Sequence, residues 1–184
     1  MSRKKEFLIK LCISSIMAAL FVVFDMLSIR ISNNIKITFG GLPILIVAFL
    51  LGPLWGALTG FVGAFVGQLL SFGLSVTTLV WVLPAAVRGV VAGYLFILLA
   101  KKLKERYSIM ISVITSSLLV TVLNTLAIYI DSKVFGYFSL EVVFGATAFR
   151  LISAVLTSVA YILLIIPIYK AVRKIMKQIK SHHT

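Results

Sequence analysis

Two arginines lie inside apolar segments, where a charge is expensive. Arg88 ends the stretch 37–87, which contains no Asp, Glu, Lys, Arg or His, and Arg150 lies in the last apolar segment. A charged side chain at membrane depth costs about 2.5–3.5 kcal/mol on insertion scales, and it normally faces a cavity or a partner group. Each arginine is therefore either neutralised for structure, by Asp25, Glu141 or the carbonyl groups at a helix end, or it binds an anionic or hydrogen-bonding solute.

Polar and aromatic side chains lie where they would complete a pocket around Arg88. Trp81 is two helical turns before Arg88 and shares its face. A guanidinium presents planar, paired donors that suit a carboxylate or the edge of a heterocycle, and an indole offers a surface for a flat ring. For each aromatic residue taken singly, packing against lipid is the competing interpretation. The candidate substrate-binding residues are Arg88, Trp81, Gln68, Asn124, Arg150, Phe72, Thr77, Tyr94 and Lys36.

The sequence contains no motif typical of catalysis. It lacks the phosphate-binding GxxxxGK[ST] pattern, HExxH, a nucleophile elbow and clustered carboxylates. We therefore expect no enzyme activity, no ATP hydrolysis by this chain alone, and neither a metal nor a cofactor of its own. His182 and His183 lie in a basic polar tail, which fits a solvated end better than a metal site.

Composition indicates a membrane protein. The 184 residues are 61% hydrophobic, with a mean hydropathy of +1.14 and a net charge of +13. Most of the Lys and Arg residues lie in three clusters, before the first apolar segment, between the fourth and fifth, and after the last. This placement follows the positive-inside rule. It predicts a multi-pass protein in contact with lipid, with both termini cytoplasmic and no binding of nucleic acid.

Six apolar segments predict an all-α integral membrane protein with six transmembrane helices in a single domain, 1–184. The second segment has about ten residues before Gly52-Pro53, too few to cross a bilayer straight. We expect it to be extended by 37–39 or shielded by its neighbours. The predicted helices are about 7–29, 42–51, 54–72, 78–100, 108–130 and 141–175.

Small residues recur at helical spacing in the third segment, and they share one face there. Close packing against a neighbouring helix is the expected role of that face, because small residues let two backbones approach in lipid. The residues are Gly56, Gly60, Gly63 and Gly67.

Four stretches carry a family resemblance. They read Phe39-Gly-Gly-Leu-Pro-Ile, Leu51-Gly-Pro-Leu-Trp-Gly-Ala-Leu, Gly73-Leu-Ser-Val-Thr-Thr and Trp81-Val-Leu-Pro-Ala-Ala-Val-Arg-Gly. With the six-segment layout and the basic ends, they resemble the substrate-binding S components of energy-coupling factor (ECF) vitamin transporters, most closely the folate group. The resemblance implies the S-component fold in a bacterial plasma membrane. It also implies one vitamin, here folate, bound at the outer side under the loops that follow helices 1 and 3.

The resemblance also implies partners. S components work with a transmembrane T component and two ATPase subunits, which use the ATP. In this family helix 1 carries a small-xxx-small pattern that faces the T component, and small-residue packing in lipid gives the same interpretation independently. Two pairs match here, with Ser in place of the usual first Ala: Ser15 with Ala19, and Ser14 with Ala18.

Other functions stay open on the residues alone. One is the same family role for a different vitamin, such as a pyrimidine precursor of thiamine. Another is a stand-alone channel or secondary carrier, whose uptake would follow an ion gradient without ATP. A membrane enzyme has the least support, because no catalytic constellation is visible.

Overall fold

The computed structural model describes residues 3–32 and 35–181, with side chains described for 3–28 and 38–174. His182, His183 and the side chain of Lys36 lie outside the described part. The described chain forms seven helices and one short hairpin. They are α1 (Arg3–Met26), β1 (Ile29–Ser32), β2 (Ile35–Ile37), α2 (Gly41–Leu51), α3 (Pro53–Phe72), α4 (Thr78–Leu99), α5 (Glu105–Val134), α6 (Leu140–Phe144) and α7 (Thr147–Ser181).

Five helical segments are long and apolar enough to cross a membrane. They are α1, α3, α4, α5 and the consecutive pair α6–α7, while α2 is apolar but shorter. This confirms the all-α membrane architecture expected from the apolar segments. The segment after the first helix, which the family resemblance implied to be a loop, contains regular structure. It forms an antiparallel hairpin in which Ile29 pairs with Ile37 and Arg30 with Lys36.

The two ends of the helices differ in charge. The start of α1, the connection between α4 and α5, and the last turns of α7 carry the basic clusters. We call this end the basic end. The opposite end holds the hairpin and the segments 71–77 and 135–139, and we call it the outer end.

The short helix α2 lies at the centre of the molecule. Every residue from Gly41 to Phe49 is buried, and Ile44 and Leu45 are 0% exposed. A helix that is apolar on all sides must be enclosed by other elements. Eleven residues at 1.5 Å each span about 16 Å, roughly half of a 30 Å hydrocarbon core. The second helix is therefore shielded by its neighbours, and Ile37 belongs to β2 and does not extend it.

The glycine face of α3 brings helix backbones into contact. A Cβ atom on Gly60 would lie 2.7 Å from the carbonyl carbon of Ala85 in α4, and one on Gly89 would overlap the backbone of Gly56. Gly63 faces α1 in the same way, where a Cβ would lie 2.8 Å from the ring of Phe21. Helices α1, α3 and α4 therefore pack as closely as the spacing of small residues predicted.

The last span is interrupted near its start. A continuous helix was expected from residue 141, whereas α6 ends at Phe144 and α7 begins at Thr147. The Nη1 of Arg150 donates to the carbonyl of Val143 over 3.0 Å. In an unbroken helix that carbonyl would accept from the N–H of Thr147. The guanidinium therefore takes the place of a backbone donor at the break.

Candidate functional site

Arg88 lies near the middle of α4, beside the first residue of α2. Its Nη1 is 3.5 Å from the hydroxyl oxygen of Tyr161 in α7, and its guanidinium carbon is 5.6 Å from the centre of that ring. A Cβ on Gly41 would overlap Nη1, so the guanidinium lies directly against the backbone at the start of α2. Because α2 is long enough to span only about half of a bilayer, its first turn lies within the apolar layer, and Arg88 contacts it there.

The hydroxyl of Tyr161 connects this arginine to the chain before α2. Tyr161 is 0% exposed, donates to the carbonyl of Thr38 over 2.7 Å and accepts from the N–H of Gly41 over 3.2 Å. The hydroxyl of Thr38 in turn donates to Oδ1 of Asp25, in the last turn of α1, over 3.1 Å. The residues before α2 are thereby attached to α1 on one side and to α7 on the other.

The first backbone donors of α2 are used within the protein. The N–H of Gly40 donates to Thr38 Oγ1 over 3.0 Å, that of Gly41 to Tyr161, and that of Leu42 to the carbonyl of Phe39 over 3.0 Å. The next residue is Pro43, which has no N–H. A ligand would therefore find its donors on Arg88 and not on the end of the helix.

Among the residues that the structure describes, most of the hydrogen-bonding capacity of Arg88 has no partner. A guanidinium has five N–H donors. Within the described residues, Arg88 makes one long hydrogen bond, to Tyr161, and no ion pair. The arrangement therefore attracts a group that is negative or rich in acceptor atoms.

Asp131, at the last turns of α5, organises the outer end above this arginine. Its Oδ1 accepts from Thr77 Oγ1 over 2.5 Å and from the indole Nε1 of Trp81 over 3.2 Å, and its Oδ2 accepts from the hydroxyl of Tyr137. The hydrogen bond to Asp131 raises the pKa of Tyr137 to about 12. One carboxylate thus fixes an edge of the Trp81 indole and joins the segments 71–77 and 135–139.

The structure brings some of the predicted pocket residues together and leaves others apart. Trp81 and Thr77 meet at Asp131, on the outer side of Arg88. Arg150 binds the carbonyl of Val143 at the α6–α7 break, as described above. Its interpretation as a second ligand contact stays a prediction, as does that of Lys36.

The remaining candidates differ in exposure. Gln68 and Asn124 are half-buried, and among the described residues their amides make no hydrogen bond. Phe72 is 69% exposed and Tyr94 is 52% exposed. Tyr94 is six residues beyond Arg88, which places it about 240° around α4. Tyr94 therefore does not share the face of Arg88. The two amides keep their donors and acceptors without a partner in the described part of the chain, and their role in binding a ligand stays a prediction.

Two residues that matter here, Tyr161 and Asp131, were not among the predicted site residues. Tyr161 is one tyrosine in a long apolar helix, and its two backbone partners, Thr38 and Gly41, are 123 and 120 residues away in the chain. Asp131 could have been identified as a candidate from the sequence, because it is an acidic residue that directly follows the uncharged stretch 108–130.

The two small-residue pairs of α1 face different surroundings. Ser14 and Ala18 are both 5% exposed and belong to the interior of this chain. Ser15 and Ala19 are exposed, and the hydroxyl of Ser15 donates to the carbonyl of Leu11 over 2.9 Å. Ser15 and Ala19 are therefore the pair that a partner helix is able to reach.

Tyr161→Phe is expected to lower stability by about 1–3 kcal/mol, because it removes the acceptor of the buried Gly41 N–H and the donor to the half-buried Thr38 carbonyl while keeping the ring. The measurement is the thermal unfolding midpoint of the purified protein in detergent. Tyr137→Phe is the matched control, since that tyrosine is 47% exposed and its loss should change the midpoint less. Equal midpoints for Tyr161→Phe and the parent protein would show that this hydroxyl does not hold the segment before α2.

Comparison with known proteins agrees with this architecture. Residues 10–172 match the family described as "ECF transporter, substrate-specific component". The fold is similar to that of the S component of a bacterial ECF transporter, with a TM-score of 0.69 and 21% identity, over 91% of this chain and 97% of that one. No curated protein sequence is significantly similar to the chain. The structural likeness shows the fold, and the family match spans most of the sequence. The chain therefore belongs to the family of substrate-specific components of ECF transporters.

Proposed function

We propose that this chain captures folate, or a related pterin, at the outer side of a bacterial plasma membrane. Membership of the family makes it a substrate-binding membrane subunit for a small molecule, and the family works with a T component and an ATPase module. What we add is the identity of the vitamin and the place where it binds. In this proposal the chain needs no cofactor of its own, and the two partner ATPase subunits hydrolyse the ATP that drives uptake.

The donors of Arg88 that have no partner in the described part of the chain support the proposal most strongly. Folate has a flat pterin ring with a carbonyl group and ring nitrogens, and it has carboxylates on its glutamate tail. The guanidinium of Arg88 suits either of these acceptor groups. Trp81 offers a face for the pterin ring, while Gln68 and Asn124 have amides that are free among the described residues. The resemblance of residues 39–44, 51–58, 73–78 and 81–89 to the folate group favours the same ligand.

Uptake by purified components tests the function. The chain is reconstituted in liposomes with its T component and ATPase subunits, and labelled folate is supplied outside. We expect accumulation that requires both the partners and internal ATP. Accumulation by the chain alone along an ion gradient would instead show a secondary carrier. Uptake of a thiamine pyrimidine precursor in place of folate would show the same family role for another vitamin.

Cysteine labelling tests the orientation. Cys12, the single cysteine of the sequence, is first replaced by Ala. In that background, Val76→Cys should react with a membrane-impermeant thiol reagent added to intact cells, because Val76 is 86% exposed at the outer end. Lys102→Cys, which is exposed at the basic end, should react only after the cells are opened. Labelling of Lys102→Cys alone in intact cells would reverse the proposed orientation.

The exposed face of α1 is proposed to contact the T component. Ala19→Leu is expected to leave folate affinity unchanged and to lower ATP-dependent uptake at least tenfold, because a bulky side chain separates two closely packed helices. Binding by the isolated subunit and uptake by the assembled complex are measured on the same variant.

Ala18→Leu is the matched control for this test. It places the same side chain one position away, in the interior, and overpacking there should cost about 1–3 kcal/mol of stability. If Ala19→Leu lost stability and folate binding as Ala18→Leu does, Ala19 would serve the fold of this subunit and not the interface.

A further inference from the structure

Positive charge at the basic end greatly exceeds the negative charge available there. The chain has five acidic side chains, and only Glu6 and Glu105 lie at this end. Each already has a partner, because Glu6 Oε1 is 2.6 Å from Lys10 Nζ and Glu105 pairs with Arg173. The other Lys and Arg residues of the three basic clusters have no acidic side chain of this chain left to neutralise them. Their counter-charges must come from outside the protein.

Part of this charge surrounds a cleft between the start of α5 and the last turns of α7. The cleft has a volume of about 320 Å³ and is lined by Glu105, Lys170, Arg173 and Lys174. Arg173 is held in place, since it pairs with Glu105 and its guanidinium carbon lies 6.0 Å from the centre of the Tyr169 ring. With the charge of Glu105 balanced by Arg173, the two lysines leave the cleft with a net positive charge.

Lys170 and Lys174 are the unbalanced members of the cleft. They are four residues apart and therefore on one face of α7. Both are exposed, and neither pairs with an acidic group in the part of the chain that the structure describes. They occupy the end of the last apolar segment, Leu140–Lys174. A lysine in that position reaches with its ammonium group to the level of the lipid headgroups.

We propose that this cleft binds the phosphate headgroup of an anionic phospholipid from the leaflet at the basic end. The two ammonium groups act as point charges for the phosphate, as lysines do in other phosphate sites. Basic pockets between membrane helices on the cytoplasmic side are a known mode of anionic-lipid recognition. The cleft lies at the basic end, whereas Arg88 lies near the middle of α4, and the lipid site does not depend on the identity of the vitamin.

Native mass spectrometry of the full chain tests the proposal. The protein in a neutral detergent is titrated with short-chain phosphatidylglycerol and, separately, with phosphatidylcholine of the same chain length. The parent should bind phosphatidylglycerol preferentially. Lys170→Gln/Lys174→Gln should weaken that binding roughly thirtyfold, which corresponds to about 1 kcal/mol for each lysine.

The matched control is Lys101→Gln/Lys102→Gln, which removes the same charge from the same end but outside the cleft. It should retain most of the affinity. An equal loss of phosphatidylglycerol affinity in the control would mean that the lipid responds to the total charge of the basic end and that the cleft is not a specific site. Equal binding of the two lipids would also overturn the proposal.

Two further arms separate the lipid from other anions. Inorganic phosphate should not displace bound phosphatidylglycerol at an equal concentration, and displacement would point to a free phosphate as the natural ligand. The double variant Lys170→Gln/Lys174→Gln is also tested for assembly with the T component and ATPase subunits. If it bound the lipid normally but failed to assemble, the two lysines would bind an acidic surface of a partner protein. The lipid site would then be rejected.

Discussion

Replacing Arg88 by alanine is expected to weaken folate binding about ten- to a hundredfold, which corresponds to the loss of roughly 1.5–3 kcal/mol for a charge-assisted hydrogen bond. The reason is that Arg88 carries donors at membrane depth for which the described part of the chain offers one long hydrogen bond. Arg88→Lys should recover little of the affinity, because an ammonium lacks the planar pair of donors. Calorimetric titration of folate into the purified variants measures the effect.

Stability must be measured beside affinity, because Arg88 also lies against Tyr161 and Gly41. The thermal unfolding midpoint of each variant shows whether the site still forms. Arg106→Ala is the control for a general loss of charge, since Arg106 is exposed at the basic end. If Arg88→Ala and Arg88→Lys both fold and bind folate as the parent does, Arg88 is a structural charge and the proposed site is wrong.

Gly60→Ala is expected to destabilise the protein by about 1–3 kcal/mol or more, because the new methyl group would meet the backbone of Ala85 and force α3 and α4 apart. A flexible side chain would move aside, but a helix backbone has no such freedom. The thermal unfolding midpoint in detergent should fall clearly below that of the parent.

Gly67→Ala is the matched control on the same helix. The nearest atom to its Cβ is in the ring of Phe21, 3.9 Å away, which is ordinary contact. Alanine is a better helix former than glycine by about 1 kcal/mol, so this variant should be as stable as the parent or more so. If the two substitutions changed the midpoint equally, the close approach of α3 and α4 would not be a source of stability.

Much of the fold is predictable because its causes are local in the sequence. Apolar length predicts the spans, and the spacing of the glycines in α3 predicts a close helix contact that Gly60 and Gly89 make. The break before α7 was missed, since it depends on Arg150 reaching back seven residues to a backbone carbonyl. The periodicity of apolar residues predicts a continuous helix there and carries no information about that hydrogen bond.

The arrangement of side chains around Arg88 can be predicted from the sequence only in part, and for a similar reason. Arg88 and Trp81 are visible because a charge and an indole are rare in apolar helices. The role of Tyr161 cannot be predicted in this way, because it arises from hydrogen bonds to backbone groups more than a hundred positions away in the chain. The pairs Ser14–Ala18 and Ser15–Ala19 differ by one position, or about 100° around α1, and only burial separates the inner pair from the exposed one.

Native mass spectrometry shows which vitamin the chain binds. The purified parent protein is incubated with equal concentrations of folate and a thiamine pyrimidine precursor. We expect a mass increase of one folate for each chain and a loss of that increase in Arg88→Ala. A chain that carries the pyrimidine, or that carries neither compound, would contradict the assignment of folate.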